Sequence, residues 1–503
     1  MKTRPPVSKC ICCFLLIILL LPVFSLDVNL NVRAQSDSFI LEVEQHWDTY
    51  GVGGTCVYGS HNSAVEDVDG DGMKEIITGG FAYNYMPNGS RTPGYAPLKI
   101  WNWDGKNTTL EKGYNWDGSI YGVNTGDVDG DGKTEIITAG RVTNWSGSFS
   151  SLRIWSWDGE NLLLRGSYER NTVGSLVTIV VDGDGKSEII TVGRSFSGNQ
   201  SLTQLSIWQF DGENLTLNRS IVDDRENIRV NSIFGYDLNN DGVSEIITAG
   251  YNNDLKNSTG QVSVWQRDDQ TFSLIGVEEW RMVDGYALNN AGGTQGNTLV
   301  RHVKVADVDG DSVPEIVTVG FTYDGEKALG QLRIWNWSEG GLNLEKSQEW
   351  ENLDITEPTS MSINDVDGDG EKEIITSGYT TGYNSFAVDA EDKSRAELKV
   401  WSWDGNALTL KQSKDWIVGE AVSAWSVGTG DVDNDGVVEI VTIGCMQIID
   451  LRDCDPDLRI WSIPSVSSAS FPYLVLAIVS VMVAVVVVIG AAFLFSRRKH
   501  QKS

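Results

Sequence analysis

The chain has 503 residues and a formal net charge of −30. That length exceeds one ordinary domain, although large all-β repeat architectures stay single at this size. The charge excludes nucleic acid and anionic lipid surfaces as partners of the main domain.

In chain order, Lys2, Arg4 and Lys9 precede an apolar run from Ile11 to Phe24. This is the layout of a secretory signal peptide over residues 1–34, with cleavage after Ser25 or Ala34; an uncleaved signal anchor is the alternative. Phe39 to Trp47, FILEVEQHW, then reads as a strand without a unit of its own. From there a nine-residue acidic loop recurs seven times. Its clearest copy is DVDGDGKTE, Asp127 to Glu135, and the others begin at Asp67, Val180, Asp237, Asp307, Asp365 and Asp431.

Oxygens at positions 1, 3 and 5, a turn glycine at 6 and a carboxylate at 9 suit one hard cation. Ca²⁺ takes six to eight oxygen ligands. The candidate ligands are Asp67, Asp69, Asp71 and Glu75; Asp127, Asp129, Asp131 and Glu135; Asp182, Asp184 and Glu188; Asp237, Asn239, Asp241 and Glu245; Asp307, Asp309, Asp311 and Glu315; Asp365, Asp367, Asp369 and Glu373; and Asp431, Asp433, Asp435 and Glu439. Up to seven Ca²⁺ are expected. The third loop is the weakest, because Val180 offers no oxygen, and Ser312 replaces the turn glycine of the fifth. An EF-hand would place its bidentate Glu at position 12 on a helix. Here Ile-Ile-Thr or Ile-Val-Thr follows the loop, and β-branched runs read as strands.

A second motif keeps step with the loop: LKIWNWDG at Leu98, LRIWSWDG at Leu152, LRIWNWSE at Leu332 and LKVWSWDG at Leu398 are four of its copies. Its tryptophans, Trp101, Trp155, Trp208, Trp265, Trp335, Trp401 and Trp461, fall 28 to 36 residues after each loop start. Each unit therefore reads as strand a, acidic loop, strand b, variable loop, strand c, tight DG turn, strand d. Four strands per unit at a fixed order indicate the blades of a β-propeller. Seven equivalent Trp point to packing between blades rather than to a ligand box. The last unit stops after strand c, and Phe39 to Trp47 is placed to complete it and remove the open edge.

Residues 464–470 read as a stalk, and 471–495, uncharged over its length, as a transmembrane helix. The basic tail 496–503 then stays in the cytoplasm by the positive-inside rule, so the protein reads as a single-pass type I membrane protein with its large domain outside. Eight Asn-x-Ser/Thr sequons and few cysteines agree with export. Cys56, Cys445 and Cys454 lie beyond the signal, and a Cys445–Cys454 bridge or a bridge from Cys56 to either is open.

The D-x-D-G-D-G loops, the seven units and the strand-swapped closure together resemble the FG-GAP/VCBS repeats of integrin alpha-subunit β-propellers, over residues 36–463. The resemblance implies an all-β, seven-bladed propeller with Ca²⁺ in the a–b hairpin loops on the bottom face and ligands on the top. Glu replaces the family's usual Asp at position 9. No inserted von Willebrand-type domain is present, which argues against a full integrin partnership.

No G-x-S-x-G, H-E-x-x-H, P-loop or C-x-x-C motif occurs, and the four His are scattered, so no enzyme is expected. Three functional readings follow: a cell-surface adhesion or recognition receptor for an extracellular protein or glycan, a membrane-tethered lectin-like carbohydrate-binding module, and, third, a polysaccharide-degrading enzyme. Sequons in the b–c connections of blades 1 to 4 leave the top of blades 5 to 7 bare. The expected ligand surface there is Phe321, Tyr323, Tyr379, Tyr383 and Phe386.

Overall fold

Each acidic loop joins two antiparallel strands, and two more strands follow before the next loop. In the second unit, residues 118–126 pair with Glu135–Asn144, which pairs with Gly147–Trp157, which pairs with Leu162–Arg170. The same meander is built by Val177–Asp182, Ser187–Ser197, Gln200–Phe210 and Leu215–Glu226; by Ile228–Tyr236, Glu245–Asn253, Ser258–Arg267 and Phe272–Trp280; by Thr298–Ala306, Glu315–Tyr323, Ala328–Ser338 and Gly341–Trp350; and by Ile355–Asn364, Glu373–Thr381, Arg395–Trp403 and Leu408–Trp416. The first unit comprises Ser63–Glu66, Glu75–Gly79, Tyr95–Trp103 and the start of the long strand Thr108–Gly126. That strand bends at Gly118, whose φ is +147° and where a Cβ would lie 1.9 Å from the Arg141 carbonyl oxygen. Only glycine fits this crossing from one unit to the next.

The structure, a computed structural model, describes residues 39–46, 55–56, 63–82, 94–144, 147–170, 177–182, 187–197, 200–253, 258–267, 272–281, 298–323, 326–338, 341–382, 393–419, 421–447 and 455–464. All lie in one compact unit, Phe39–Ser467. Among the described residues every α-helix is absent and the class is all-β. No helix there is long and apolar enough to cross a membrane. The expected signal 1–34 and span 471–495 lie outside the described residues.

The seventh unit holds Ala421–Gly430, Glu439–Gln447 and Asp455–Ser462, and its fourth strand is Ile40–His46 from the other end of the chain. Ile40 pairs with Ser462 and His46 with Asp457. Phe39 meets Trp461 edge-on at 6.0 Å, so the swapped strand brings its own aromatic to the unit.

The second strands are buried over their Ile-rich stretches; Glu75–Gly79 and Glu245–Gly250 are examples. Their Ile residues point to both faces because the sheet is covered on both. Neighbouring first strands are stitched together by hydrogen bonds. Val303 N donates to Ser232 Oγ at 3.0 Å, Met361 N to His302 Nδ1 at 2.7 Å, and Val427 N to Ser360 Oγ at 3.3 Å. Ser63 and Ser426 share a 2.7 Å hydroxyl bond, which joins the first unit to the seventh. His302 is thus a structural acceptor, as its scattered placement suggests.

The repeated Trp has the same role in every unit. Trp101, Trp155, Trp208, Trp265, Trp335, Trp401 and Trp461 donate Nε1–H to Oγ1 of Thr78, Thr138, Thr191, Thr248, Thr318, Thr376 and Thr442, at 2.9–3.2 Å. The acceptor is the Thr of the EIIT or EIVT strand, so a buried N–H is satisfied inside the sheet. An aromatic from the preceding unit's fourth strand then covers the indole: Tyr168 on Trp208 at 4.5 Å, Trp280 on Trp335 at 5.0 Å, Trp350 on Trp401 and Trp416 on Trp461, both at 5.1 Å. Offset rings at this distance add to area burial, and here they lock unit to unit.

Candidate metal centres

Each Asp-rich loop is held by its own backbone. In the first unit, Asp67 accepts from Gly70 N at 2.7 Å through Oδ1 and from Gly72 N at 3.0 Å through Oδ2. Asp69 Oδ1 accepts from Asp71 N, Asp71 Oδ1 from Met73 N, and Glu75 Oε2 from Val68 N, at 2.8–3.0 Å. Val68, 2% exposed, anchors the loop in the core. One oxygen each of Asp69, Asp71 and Glu75 remains free of these backbone bonds. The second unit repeats the pattern through Asp127, Asp129, Asp131 and Glu135 and the fifth through Asp307, Asp309, Asp311 and Glu315; the seventh does so through Asp431, Asp433, Asp435 and Glu439, except that Asp431 Oδ1 accepts from Asp435 N. Ser312 adopts φ +73° in the glycine's place and still donates its N–H to Asp307.

Ligand oxygens of Asp67, Asp69 and Asp71, of Asp127, Asp129 and Glu135, of Asp307, Asp309 and Asp311, and of Asp365, Asp367 and Glu373 lie within 4.8 Å of one another. The convergence is electrostatically costly. Burial, partly offset by the loop N–H and reinforced by neighbouring Asp charges, pushes Glu75 and Glu439 up to about 8 and Glu135 and Glu315 up to about 7. An oxygen-only, multiply anionic donor set on a rigid loop fits a hard divalent cation.

Two loops depart from this pattern. In the fourth unit Asp237, Asp241 and Glu245 take the standard backbone bonds, but Asn239 Nδ2 donates to Asp241 Oδ2 and Glu245 Oε1, both at 3.1 Å. A neutral amide donor there answers part of the negative charge. In the third unit the loop expected from Asp182, Asp184 and Glu188 is not assembled like the others. The strand runs on through its first positions, with Val180 paired to Ile189, Val181 to Glu188 and Asp182 to Ser187. Elsewhere the strand ends just before position 1, and its last residue pairs with position 9, as Gly126 does with Glu135. Val180 has no side-chain oxygen to accept the loop N–H groups that the Asp at this position accepts elsewhere, and sheet pairing wins. Arg267 of the next unit ion-pairs with Glu188 instead. Asp184 lies outside the described residues.

The DG turns of the third-to-fourth strand connections sit against these loops. A Cβ on Gly159 would lie 2.9 Å from Asp69 Oδ2, one on Gly212 3.1 Å from Asp129 Oδ2, one on Gly405 2.8 Å from Asp309 Oδ2 and one on Gly105 2.7 Å from Asp433 Oδ2. Turn and acidic loop therefore share one face, each turn touching the loop of the preceding unit.

The expected ligand surface is partly redistributed. Phe321 is 4% exposed and packs with Leu299, Ala328, Tyr251 and Ile355, so it is a core residue rather than an exposed aromatic. Its position on a strand covered on both faces explains this. Tyr323 and Tyr379 are half-buried. Tyr379 donates its hydroxyl to Glu357 Oε2 at 2.7 Å and stacks on Trp425 at 5.5 Å, while Arg301 pairs with the same Glu357. Tyr383 and Phe386 lie outside the described residues. The fourth-strand residues beside the loops, Glu111, Glu345 and Lys411, escape a reading based on loop spacing. The signal was available in the contrast between TLEKG and TLKQS in otherwise parallel segments.

A family model described as an FG-GAP-like repeat matches residues 365–442, from the sixth loop to the second strand of the seventh unit. That stretch, with the acidic loop at its start, is an FG-GAP-like repeat, and the other units repeat its strand order. A T-cell immunomodulatory protein homolog of Plasmodium falciparum (isolate 3D7) is 26% identical over 178 residues, 33% of this chain and 22% of that protein. The homolog from Plasmodium yoelii yoelii is 23% identical over 181 residues, 33% of this chain and 23% of that protein. The matched stretch thus spans less than a quarter of either relative. Among solved structures, the Dos1 propeller shares 10% identity with a TM-score of 0.42, covering 85% of this chain and 95% of its own.

Proposed function

We propose that the chain is a seven-bladed propeller displayed at the cell surface as a single-pass type I protein, whose loops hold structural Ca²⁺ and whose opposite face binds an extracellular protein or glycan. The observation that carries the reading is the repeated convergence of carboxylate oxygens on loops whose backbone bonds already fix each side chain. When bound, the ion supplies charge neutralisation and rigidity; the carboxylates, held by loop N–H groups, do not have to reorganise to receive it. Recognition then falls to the opposite face, formed by the second-to-third strand connections and the connections from unit to unit, because the acidic loops and DG turns fill their own face. Loops on a rigid scaffold are where binding residues concentrate. The resemblance to integrin alpha propellers and the similarity to proteins called T-cell immunomodulatory protein homologs both favour adhesion or recognition over catalysis.

The experiment is a pull-down from cell-surface extracts with the purified protein in Ca²⁺ and in EDTA, run beside a glycan array. A Ca²⁺-dependent protein partner supports a receptor, and a glycan hit without one supports the lectin-like module. Turnover of a polysaccharide, with no partner in either assay, would replace both with an enzyme.

A further inference from the structure

The sixth loop has an unbroken acidic consensus, DVDGDGEKE, yet its carboxylates face a cation that the chain itself supplies. Lys411 Nζ lies 3.0 Å from Asp367 Oδ2, 3.3 Å from Asp369 Oδ2 and 2.8 Å from Glu373 Oε1. These are the oxygens left over once Asp367 Oδ1, Asp369 Oδ1 and Glu373 Oε2 have accepted backbone N–H groups from Asp369, Glu371 and Val366. An ammonium carries three donors and no acceptor, so three carboxylate oxygens use its capacity fully. The point on which the loop converges is therefore taken by a +1 group with the geometry of the site.

Backbone register puts the lysine there. Each fourth strand carries a one-residue bulge opposite the repeat Trp: Leu410 pairs with Trp401 and Gln412 with Val400, leaving Lys411 as the extra residue. A bulge re-aims one side chain without disturbing the strand. The same extra residue is Glu111 in the first unit, Arg165 in the second, Asn218 in the third, Ile275 in the fourth, Glu345 in the fifth and Glu42 in the seventh; Arg165 donates to the Gly212 carbonyl rather than to its own loop's carboxylates. One position thus carries an acid, a neutral group or a base beside otherwise similar loops. The third unit reaches a similar end by another route, with Arg267 paired to Glu188.

We infer that Lys411, which reaches all three free loop oxygens as Arg165 of the second unit does not, is a built-in cation that closes the sixth loop to divalent ions. The inference rests on the reading that the other loops take Ca²⁺. A divalent ion among Asp367, Asp369 and Glu373 would lie within a few ångströms of the ammonium, so the lysine would have to leave. A sequence motif that predicts Ca²⁺ at this loop is accordingly overruled by a residue 38 positions away from Glu373.

Calcium stoichiometry, measured by equilibrium dialysis on the purified protein and its variants, tests this. Lys411→Glu should bind one more Ca²⁺ than the parent, and Asp367→Asn in the parent should change the count by none, whereas Asp129→Asn should lower it by one. No gain in Lys411→Glu, or loss of an ion in Asp367→Asn, overturns the inference; the second variant keeps the test decisive should the first fail to fold. A parent that binds no Ca²⁺ while Lys411→Glu binds one would uphold the inference and sink the reading of the other loops.

Discussion

Arg459 Nη2 donates to Glu44 Oε1 at 2.7 Å, joining residues 415 positions apart in the sequence. Arg459 also holds Asp457 through Nε, at 3.0 and 3.1 Å, and lies over the Trp416 ring at 5.4 Å. The swapped strand is therefore latched to a buried charge network as well as hydrogen-bonded along its length. The two partners differ in burial: the Arg459 and Asp457 side chains are 5% and 2% exposed, that of Glu44 36%. Glu44→Ala removes a half-exposed acceptor and should cost at most about 1 kcal/mol. Arg459→Ala leaves Asp457 buried without its cation and should cost about 3–5 kcal/mol. Denaturant melts of both variants check the order; equal losses would show that the latch adds nothing beyond the strand.

The Trp–Thr bond can be tested one unit at a time. Thr138→Val keeps the shape of the side chain and removes the acceptor of Trp155 Nε1–H, now 3.0 Å away. Trp155 is 1% exposed, so water cannot replace it. A buried donor left unpaired costs about 1–3 kcal/mol. The midpoint of denaturation should fall with an unchanged slope, since the exposed surface on unfolding is the same. Replacing Thr409, which is exposed, by Val is the control.

Much of the fold was legible because the repeat is written in residues whose chemistry is local. The DG turns, the β-branched second strands and the Trp motif specify their elements without help from distant contacts. The swapped strand Ile40–His46 could be inferred because the last unit lacked its fourth strand. The departures arise where a site is settled by residues from elsewhere. Lys411 enters from another strand, and Arg267 from another unit, so loop spacing alone cannot see either. Phe321 was read as exposed from its place near a connection, whereas both faces of its strand are covered.

A pH dependence follows from the raised carboxyls of the loops. Without a cation, Glu75 and Glu439 sit at about 8 and Glu135 and Glu315 at about 7, above the ordinary Glu value of 4.5. The folded chain then binds more protons than the unfolded one between those values. Stability contributed by these groups is complete below about 4.5 and is lost as pH rises through 7 to 8. In EDTA the melting temperature should therefore decline from pH 5 to pH 8. With Ca²⁺ in excess the ion favours the ionised carboxylates, and the decline should vanish or reverse. A melting temperature that stays flat in EDTA over this range would remove the loops from any role in stability.

The thiols give the last prediction. Cys445 is disulfide-bonded and 5% exposed. It lies on Glu439–Gln447, where it pairs with Pro456 of the adjacent strand. Cys454 lies one residue before that strand begins and Cys56 on Thr55–Cys56, which pairs with Phe81–Ala82 of the first unit. The partner's side chain lies outside the described residues, so the two pairings are separated by chemistry. A Cys445–Cys454 bridge closes a hairpin within one unit, whereas a Cys56–Cys445 bridge ties the seventh unit to the chain entering the first. Either should stabilise by roughly 2–4 kcal/mol, with the larger value for the longer closed loop. Non-reducing peptide mapping should recover Cys445 joined to Cys454, with Cys56 alkylated in the native protein. Recovery of Cys56 with Cys445 would instead make the disulfide part of the closure, and reduction should then weaken the swapped strand together with the Arg459 latch. If Cys445 alkylates fully without reductant, no bridge exists and both versions fail.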